Sequence, residues 1–217
     1  KDYGDTWSTN TKYYKEKIVN SLDTKDATIY ACIQGDGVHI STDEGQYWDI
    51  KNNGLTDKNV KTIVLTDDNI LVGTNVKGVF SSTSSGDNWI EMNSGLSSLN
   101  INIIKYDEIN DDFYVGTNGG GVFFSNNNAK SWEQRNKGLK NLAVGTLEIF
   151  GNYIFAGTFG DGIYISSDKG NNWKEINTGL YDKHILSIMI KDSNIYAGTA
   201  NGGIYKAGLS DLGISTS

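Results

Sequence analysis

The chain has 217 residues, a formal net charge of −7, a pI near 4.8, 26 glycines and no proline. An acidic surface carrying a single arginine, Arg135, argues against nucleic acid and anionic membranes as partners, and no run of 18 apolar residues offers a bilayer span. The lone Cys32 sits in the apolar run Ile29-Tyr30-Ala31-Cys32-Ile33 and reads as a small core residue.

In chain order, Asp2-Tyr3-Gly4-Asp5-Thr6-Trp7 is the second half of a pattern that then recurs. A strand over 29–32 leads through the hairpin Gly35-Asp36-Gly37 to a full copy of S-x-D-x-G-x-x-W, running from Ser41 through Asp43 and Gly45 to Trp48. The next repeat alternates polar and apolar residues over 60–65, then predicts strands over 69–74, 79–81 and 88–92. Its box, from Ser82 through Gly86 to Trp89, has Ser84 at the Asp position. A strand over 113–117 and the turn Gly119-Gly120-Gly121 precede a looser copy, Ser125 to Trp132, with Asn127 for Asp and Ala129 for Gly. The fourth repeat has a strand over 154–158, the hairpin Gly160-Asp161-Gly162, and the second full box, Ser166 through Asp168 and Gly170 to Trp173. The last predicts strands over 185–190, 195–199 and 203–206, and then has no box. Between repeats the chain reads Asn53-Gly54-Leu55, Ser94-Gly95-Leu96, Lys137-Gly138-Leu139 and Thr178-Gly179-Leu180.

All five tryptophans close a copy of the box, at spacings of 41, 41, 43 and 41 residues. A fixed period of about 40–45 residues built from short strands is the mark of a β-propeller. The expected fold is therefore all-β, with four-stranded antiparallel blades and almost no helix. Three strands from the C-terminal end and one from the N-terminal end would complete a fifth blade; a share of a six- or seven-bladed ring is the alternative. The expected domain is 1–209, followed by a tail or linker over 210–217.

The repeated octapeptide resembles the Asp-box, or bacterial neuraminidase repeat, over nearly the whole chain. That resemblance places the box in the turn between the third and fourth strands of each blade. There Asp43 and Asp168 would accept turn N–H groups, Gly45, Gly86 and Gly170 would permit a left-handed backbone, and the tryptophans would pack between blades. The family includes sialidases, whose three arginines grip a substrate carboxylate; one arginine makes that activity a poor expectation. It also includes xyloglucanase-type glycosidases and propellers of the photosystem assembly factor type.

The function expected is a non-catalytic binding or scaffold module that recognises a glycan or protein partner through one loop face. Asp36, Asn75, Asn118, Phe159, Asp161 and Asn201 are its candidate contacts. A glycoside hydrolase or lyase using Asp36 and Asp161 is the alternative, and a structural subunit of an extracellular assembly, with self-association, is a third. No cofactor and no metal are expected: His39 and His184 lack partners at ligand spacing, each reading as a surface or hydrogen-bonded histidine, and no D-x-D-x-D-G loop occurs. The stretch Lys206 to Asp211 resembles the way secreted bacterial propellers end, which implies an extracellular, cell-surface or periplasmic location.

Overall fold

The computed structural model describes Tyr14 and residues 16–214. Asp2, Gly4 and Trp7, and with them the expected N-terminal contribution to the fifth blade, lie outside the described residues. The first blade comprises β1 (Val19–Lys25), β2 (Thr28–Ile33), β3 (Gly37–Ser41) and β4 (Asp49–Ile50). Next come β5 (Val60–Leu65), β6 (Ile70–Thr74), β7 (Val79–Ser82) and β8 (Ile90–Glu91). The third blade is β9 (Ile101–Asp107), β10 (Asp112–Thr117), β11 (Gly121–Ser125) and β12 (Glu133–Gln134). The fourth is β13 (Val144–Phe150), β14 (Tyr153–Thr158), β15 (Gly162–Ser166) and β16 (Lys174–Glu175). The fifth has three strands among the described residues, β17 (Ile185–Lys191), β18 (Asn194–Thr199) and β19 (Ile204–Gly208). Every pairing is antiparallel between strands consecutive in sequence. One 3₁₀ turn, Ser210–Leu212, follows the last strand.

The second, third and fourth blades bury both faces of their second and third strands almost throughout, so these read as near-continuous apolar runs. Close approach explains the small residue near the end of each second strand. A Cβ at Gly73 would press on Thr62 of its own blade and on Ile101 of the next, and Gly157 is pinched the same way by Thr146 and Ile185. The inner strands β1, β5, β9, β13 and β17 pack in that order. Four apolar clusters fill the four gaps between successive blades.

The end blades differ from the middle ones. The cross-strand row Ile63-Val72-Phe80 of the second blade packs against Tyr30, Cys32 and Ile40 of the first. The corresponding row of the first blade is Leu22-Ala31-His39-Ile50. Leu22 is 63% exposed, whereas its counterparts Ile63, Ile104, Leu147 and Ile188 are all buried. At the other end Met189 (55%) and Ile204 (80%) stand exposed on the far face of the fifth blade. Residues 209–214 fold back onto that blade, with Leu209 and Ile214 buried in the fourth cluster.

The octapeptide turns are closed by their own side chains. Ser41 Oγ accepts the Gly45 N–H at 2.9 Å, and Asp43 Oδ1 accepts the Tyr47 N–H at 2.9 Å. Ser166 and Asp168 repeat this with Gly170 and Asn172, and Ser82, Ser84, Ser125 and Asn127 give weaker versions. The tryptophan that follows reaches back to the preceding blade. Trp89, Trp132 and Trp173 donate Nε1–H to the carbonyls of Lys51, Met92 and Arg135 at 2.7–2.9 Å and are almost fully buried. Trp48 departs from this pattern: half-buried, it donates to Gly45 of its own turn, and the Tyr14 ring meets it edge-on at 5.2 Å.

These turns carry a pH dependence. The Tyr47 N–H holds the Asp43 carboxyl below the usual range, and the Asn172 side-chain amide does most for Asp168. A carboxyl depressed in the folded chain contributes stability above its unfolded pKa, about 3.9, and that contribution is lost as pH falls through the folded value. In thermal melts, the D43N/D168N variant should be less stable than the parent at about pH 7 and converge with it near pH 2. An offset unchanged across that range contradicts the assignment.

Candidate functional site

The six candidate contacts lie at one end of the blades, on the hairpins joining the second and third strands. Asn75, Asn118 and Phe159 share one position, the first residue after the second strand. Asp36 and Asp161 share another two residues further along, and Asn201 lies between these two registers.

The connections between blades build the same face. The backbone N–H groups of Gly37, Gly78, Gly121 and Gly162 donate to Lys58, Leu99, Leu142 and Lys183 in the connection that follows. One asparagine per repeat then locks each hairpin: Oδ1 of Asn52, Asn93, Asn136 and Asn177 accepts the N–H of Val38, Val79, Val122 and Ile163 at 2.7–2.9 Å. The amide nitrogens of these side chains donate to the carbonyls of Asp36, Lys77, Gly120 and Asp161. A second set comes from the connections, where Asp57 accepts the Val76 N–H, Asn141 donates to Phe159, and Asp182 accepts the N–H groups of Asn201 and Gly202 at 2.6 and 2.9 Å. Those donors, with the His184 N–H first among them, hold the Asp182 carboxyl below its ordinary range. Asp57, Asn141 and Asp182 all stand nine residues after a box tryptophan. The repeat period carried that signal, which reading turn by turn missed.

The two candidate acids are kept apart. Asp36 lies on the first blade and Asp161 on the fourth, with two blades between them. A hydrogen bond from Lys17 Nζ, 2.9 Å away, holds Asp36 below the usual carboxylate range. Asp161 Oδ2 accepts the Tyr164 hydroxyl, whose pKa burial and the neighbouring carboxylate push up to about 12. Each carboxylate thus has a local partner on or beside its own blade.

The aromatic part of the face sits between the fourth and fifth blades. The Phe159 and His184 rings stack at 5.0 Å and 23°, joined by a β-bridge between the same residues. Tyr181, on the same connection as His184, is 90% exposed. His184 is thus a surface residue. His39 is instead buried, because the Tyr14 segment covers it. Tyr14 Oη lies 3.3 Å from its Nδ1, and Asp36 Oδ2 lies 3.3 Å from its Nε2 at an angle that makes no hydrogen bond. Burial lowers its pKa, against the pull of Asp36.

Arg135, just past β12, lies over the Phe124 ring at 3.5 Å, pairs with Glu133 and donates to the Lys169 carbonyl, so it works as a structural tie. Among the described residues, no group of three or more His, Cys, Asp or Glu could hold a metal ion, and no helix is long and apolar enough to cross a membrane.

The sequence matches no protein-family model and no curated protein sequence. Solved structures do resemble it. The extracellular domain of BT4673 from B. thetaiotaomicron superposes with a TM-score of 0.73 at 21% identity, covering 87% of this chain and 27% of that one. YCF48 from Cyanidioschyzon merolae gives 0.68 at 14% identity, covering 94% and 72%. An ancestral GH74 enzyme gives 0.69 at 19% identity, covering 82% and 27%. This is a β-propeller fold. The propeller spans about a quarter of the BT4673 domain and of the GH74 enzyme, and nearly three-quarters of YCF48.

Proposed function

We propose that this propeller is a non-catalytic recognition module of the Asp-box type, acting outside the cytoplasm, which binds a glycan or protein partner on its hairpin face. The observation that carries this reading is the Phe159–His184 stack, which joins a hairpin locked by the Asn177 and Asn141 side chains to the connection that also carries the exposed Tyr181. Flat aromatic faces flanked by a few fixed polar groups suit sugar rings and extended peptides alike, and a rigid mount reduces the ordering cost of binding. YCF48 has been solved bound to a D1 peptide, and BT4673 presents its domain extracellularly, both compatible with recognition rather than turnover. Hydrolysis needs an acid and a base about 5–10 Å apart; the placement of Asp36 and Asp161 on non-adjacent blades and their local partners disfavour it.

The test is to probe glycan and peptide arrays with the labelled chain, then to measure affinity for any hit with the F159A/D161A variant. Saturable binding that falls at least about tenfold, or 1.4 kcal/mol, in the variant supports the assignment. Binding unaffected by the substitutions places recognition elsewhere, and new reducing ends from pooled polysaccharides would mean that the propeller is an enzyme.

A further inference from the structure

A cleft of about 170 Å³ opens between the third and fourth blades, at the end of the strands opposite the hairpin face. Asp107, Tyr114 and Ile154 form its floor and are all buried. Asn110, Asn152, Ser167 and Lys169 form its rim and are all exposed, so the cleft is open to solvent. Three separate turns supply that rim: two join first to second strands, and the third is the octapeptide turn of the fourth blade.

The floor carries a hydroxyl that packing does not require. The Tyr114 ring lies in the apolar cluster between the two blades, tilted against Phe124 at 5.3 Å. Cross-strand pairing puts Leu71 and Phe155 at the same place in the second and fourth blades, so residues without a hydroxyl fill that position. Tyr114 is nonetheless 1% exposed, and its Oη makes no hydrogen bond among the described residues. A buried hydroxyl left unpaired costs stability. Burial, with the Asp112 and Asp107 carboxylates nearby, raises its pKa, so it stays an O–H donor at neutral pH.

The polar groups around that hydroxyl are of both kinds. Asp107 closes its own turn: Oδ1 accepts the Ile109 and Asn110 N–H groups, and Oδ2 accepts the Asn110 side-chain amide at 2.7 Å. Oδ2 keeps a lone pair for a further donor. Lys169 is drawn in by Asp112, whose Oδ2 lies 2.6 Å from its Nζ, and adds N–H donors. An anion would meet the Asp107 and Asp112 carboxylates, and a cation the Lys169 ammonium. A hydroxyl group suits all of them, since it accepts from Tyr114 and Lys169 and donates to Asp107. Ile149 and Ile154 offer an apolar wall for the C–H face of a ring. The volume is that of about five or six waters at about 30 Å³ each, the scale of one sugar unit and not of a chain of them.

We propose that this cleft binds a single neutral sugar unit, with the Tyr114 hydroxyl as the donor at its floor. The site is separate from the hairpin face and does not depend on what that face recognises.

The test is to titrate the isotope-labelled chain with the methyl glycosides of glucose, galactose, mannose and N-acetylglucosamine at millimolar concentrations, following amide chemical shifts by NMR. The expected result is saturable shifts with at least one of them, gathered on Asn110, Gly151, Asn152 and Ser167. Tyr114→Phe should weaken that binding at least about tenfold. It should not lower the melting temperature, because the ring is kept and an unpaired hydroxyl is removed. Saturable shifts with none of the four sugars, or an unchanged affinity in Y114F, overturn the proposal. A Y114F variant that melts lower while the parent binds no sugar would show that the hydroxyl serves only an ordered water, which overturns it as well. Should Y114F fold poorly, Asn152→Ala on the exposed rim gives a second reading: binding about threefold weaker is expected, and unchanged affinity overturns the assignment.

Discussion

Replacing Trp132 by alanine should cost about 3–5 kcal/mol. The ring is 5% exposed, sits in the cluster between the second and third blades, and donates its Nε1–H to the Met92 carbonyl at 2.8 Å. Removal leaves a void between two blades and an unpaired carbonyl at its edge. For a domain of this size each kcal/mol lowers the melting temperature by about 2–4 °C, so a drop of roughly 10 °C follows. Phe in place of Trp132 keeps much of the ring area but not the donor, and should lose about 1–3 kcal/mol. Denaturant melts of the two variants check both figures. A loss under about 1 kcal/mol for W132A would show that the blades are not held together through this ring.

The second large effect belongs to Gly95. Its φ is +87°, and a Cβ there would collide with the Trp132 carbonyl, a backbone atom with no freedom to swing aside. The left-handed conformation alone costs an L-residue about 1–2 kcal/mol. Relieving the collision means moving the connection away from the next blade, which strains the hydrogen bond from Trp132 N–H to the Ser94 carbonyl. Gly95→Ala should therefore lose about 3 kcal/mol or more. Gly119→Ala separates the two contributions: its φ is +100° and its Cβ would meet nothing within 4 Å among the described residues, so the backbone cost is all it should show. Equal destabilisation of the two variants in equilibrium unfolding would refute the collision argument.

The fold was legible because its signals are local and repeated. Alternation over 60–65, apolar runs such as 70–74 and glycine hairpins each mark one strand or turn, and four or five copies remove the ambiguity that any single copy carries. The turn chemistry of Ser41, Asp43 and Gly45 was legible for the same reason, since every partner lies within four residues. What a residue touches on the next blade was not. That Trp132 bonds to Met92, or that Gly73 is pinched by Ile101, depends on how two blades stack, and no pattern within one repeat shows the distance between them. At the candidate face, sequence reasoning put Asp36, Asn75, Asn118, Phe159, Asp161 and Asn201 on the turns between second and third strands, which is where they lie. It took no account of Tyr181 or the Phe159–His184 stack, because both depend on the connection folding against its neighbouring hairpin. Of the two readings of His39, surface or hydrogen-bonded, the sequence could not choose, because its cover comes from Tyr14, 25 residues away.

The tie from Trp89, Trp132 and Trp173 to the carbonyl three residues past the previous tryptophan gives this part of the chain a joint whose two halves are the same wherever it is cut. Lys51 and Met92 are interchangeable as acceptors, so excising residues 52–92 would leave Trp132 an equivalent carbonyl and every remaining blade an equivalent neighbour. Lengthening or shortening by whole repeats therefore preserves each contact, whereas a single-residue insertion in a connection disrupts two. Evolution of such a chain is expected to proceed in steps of about 41 residues.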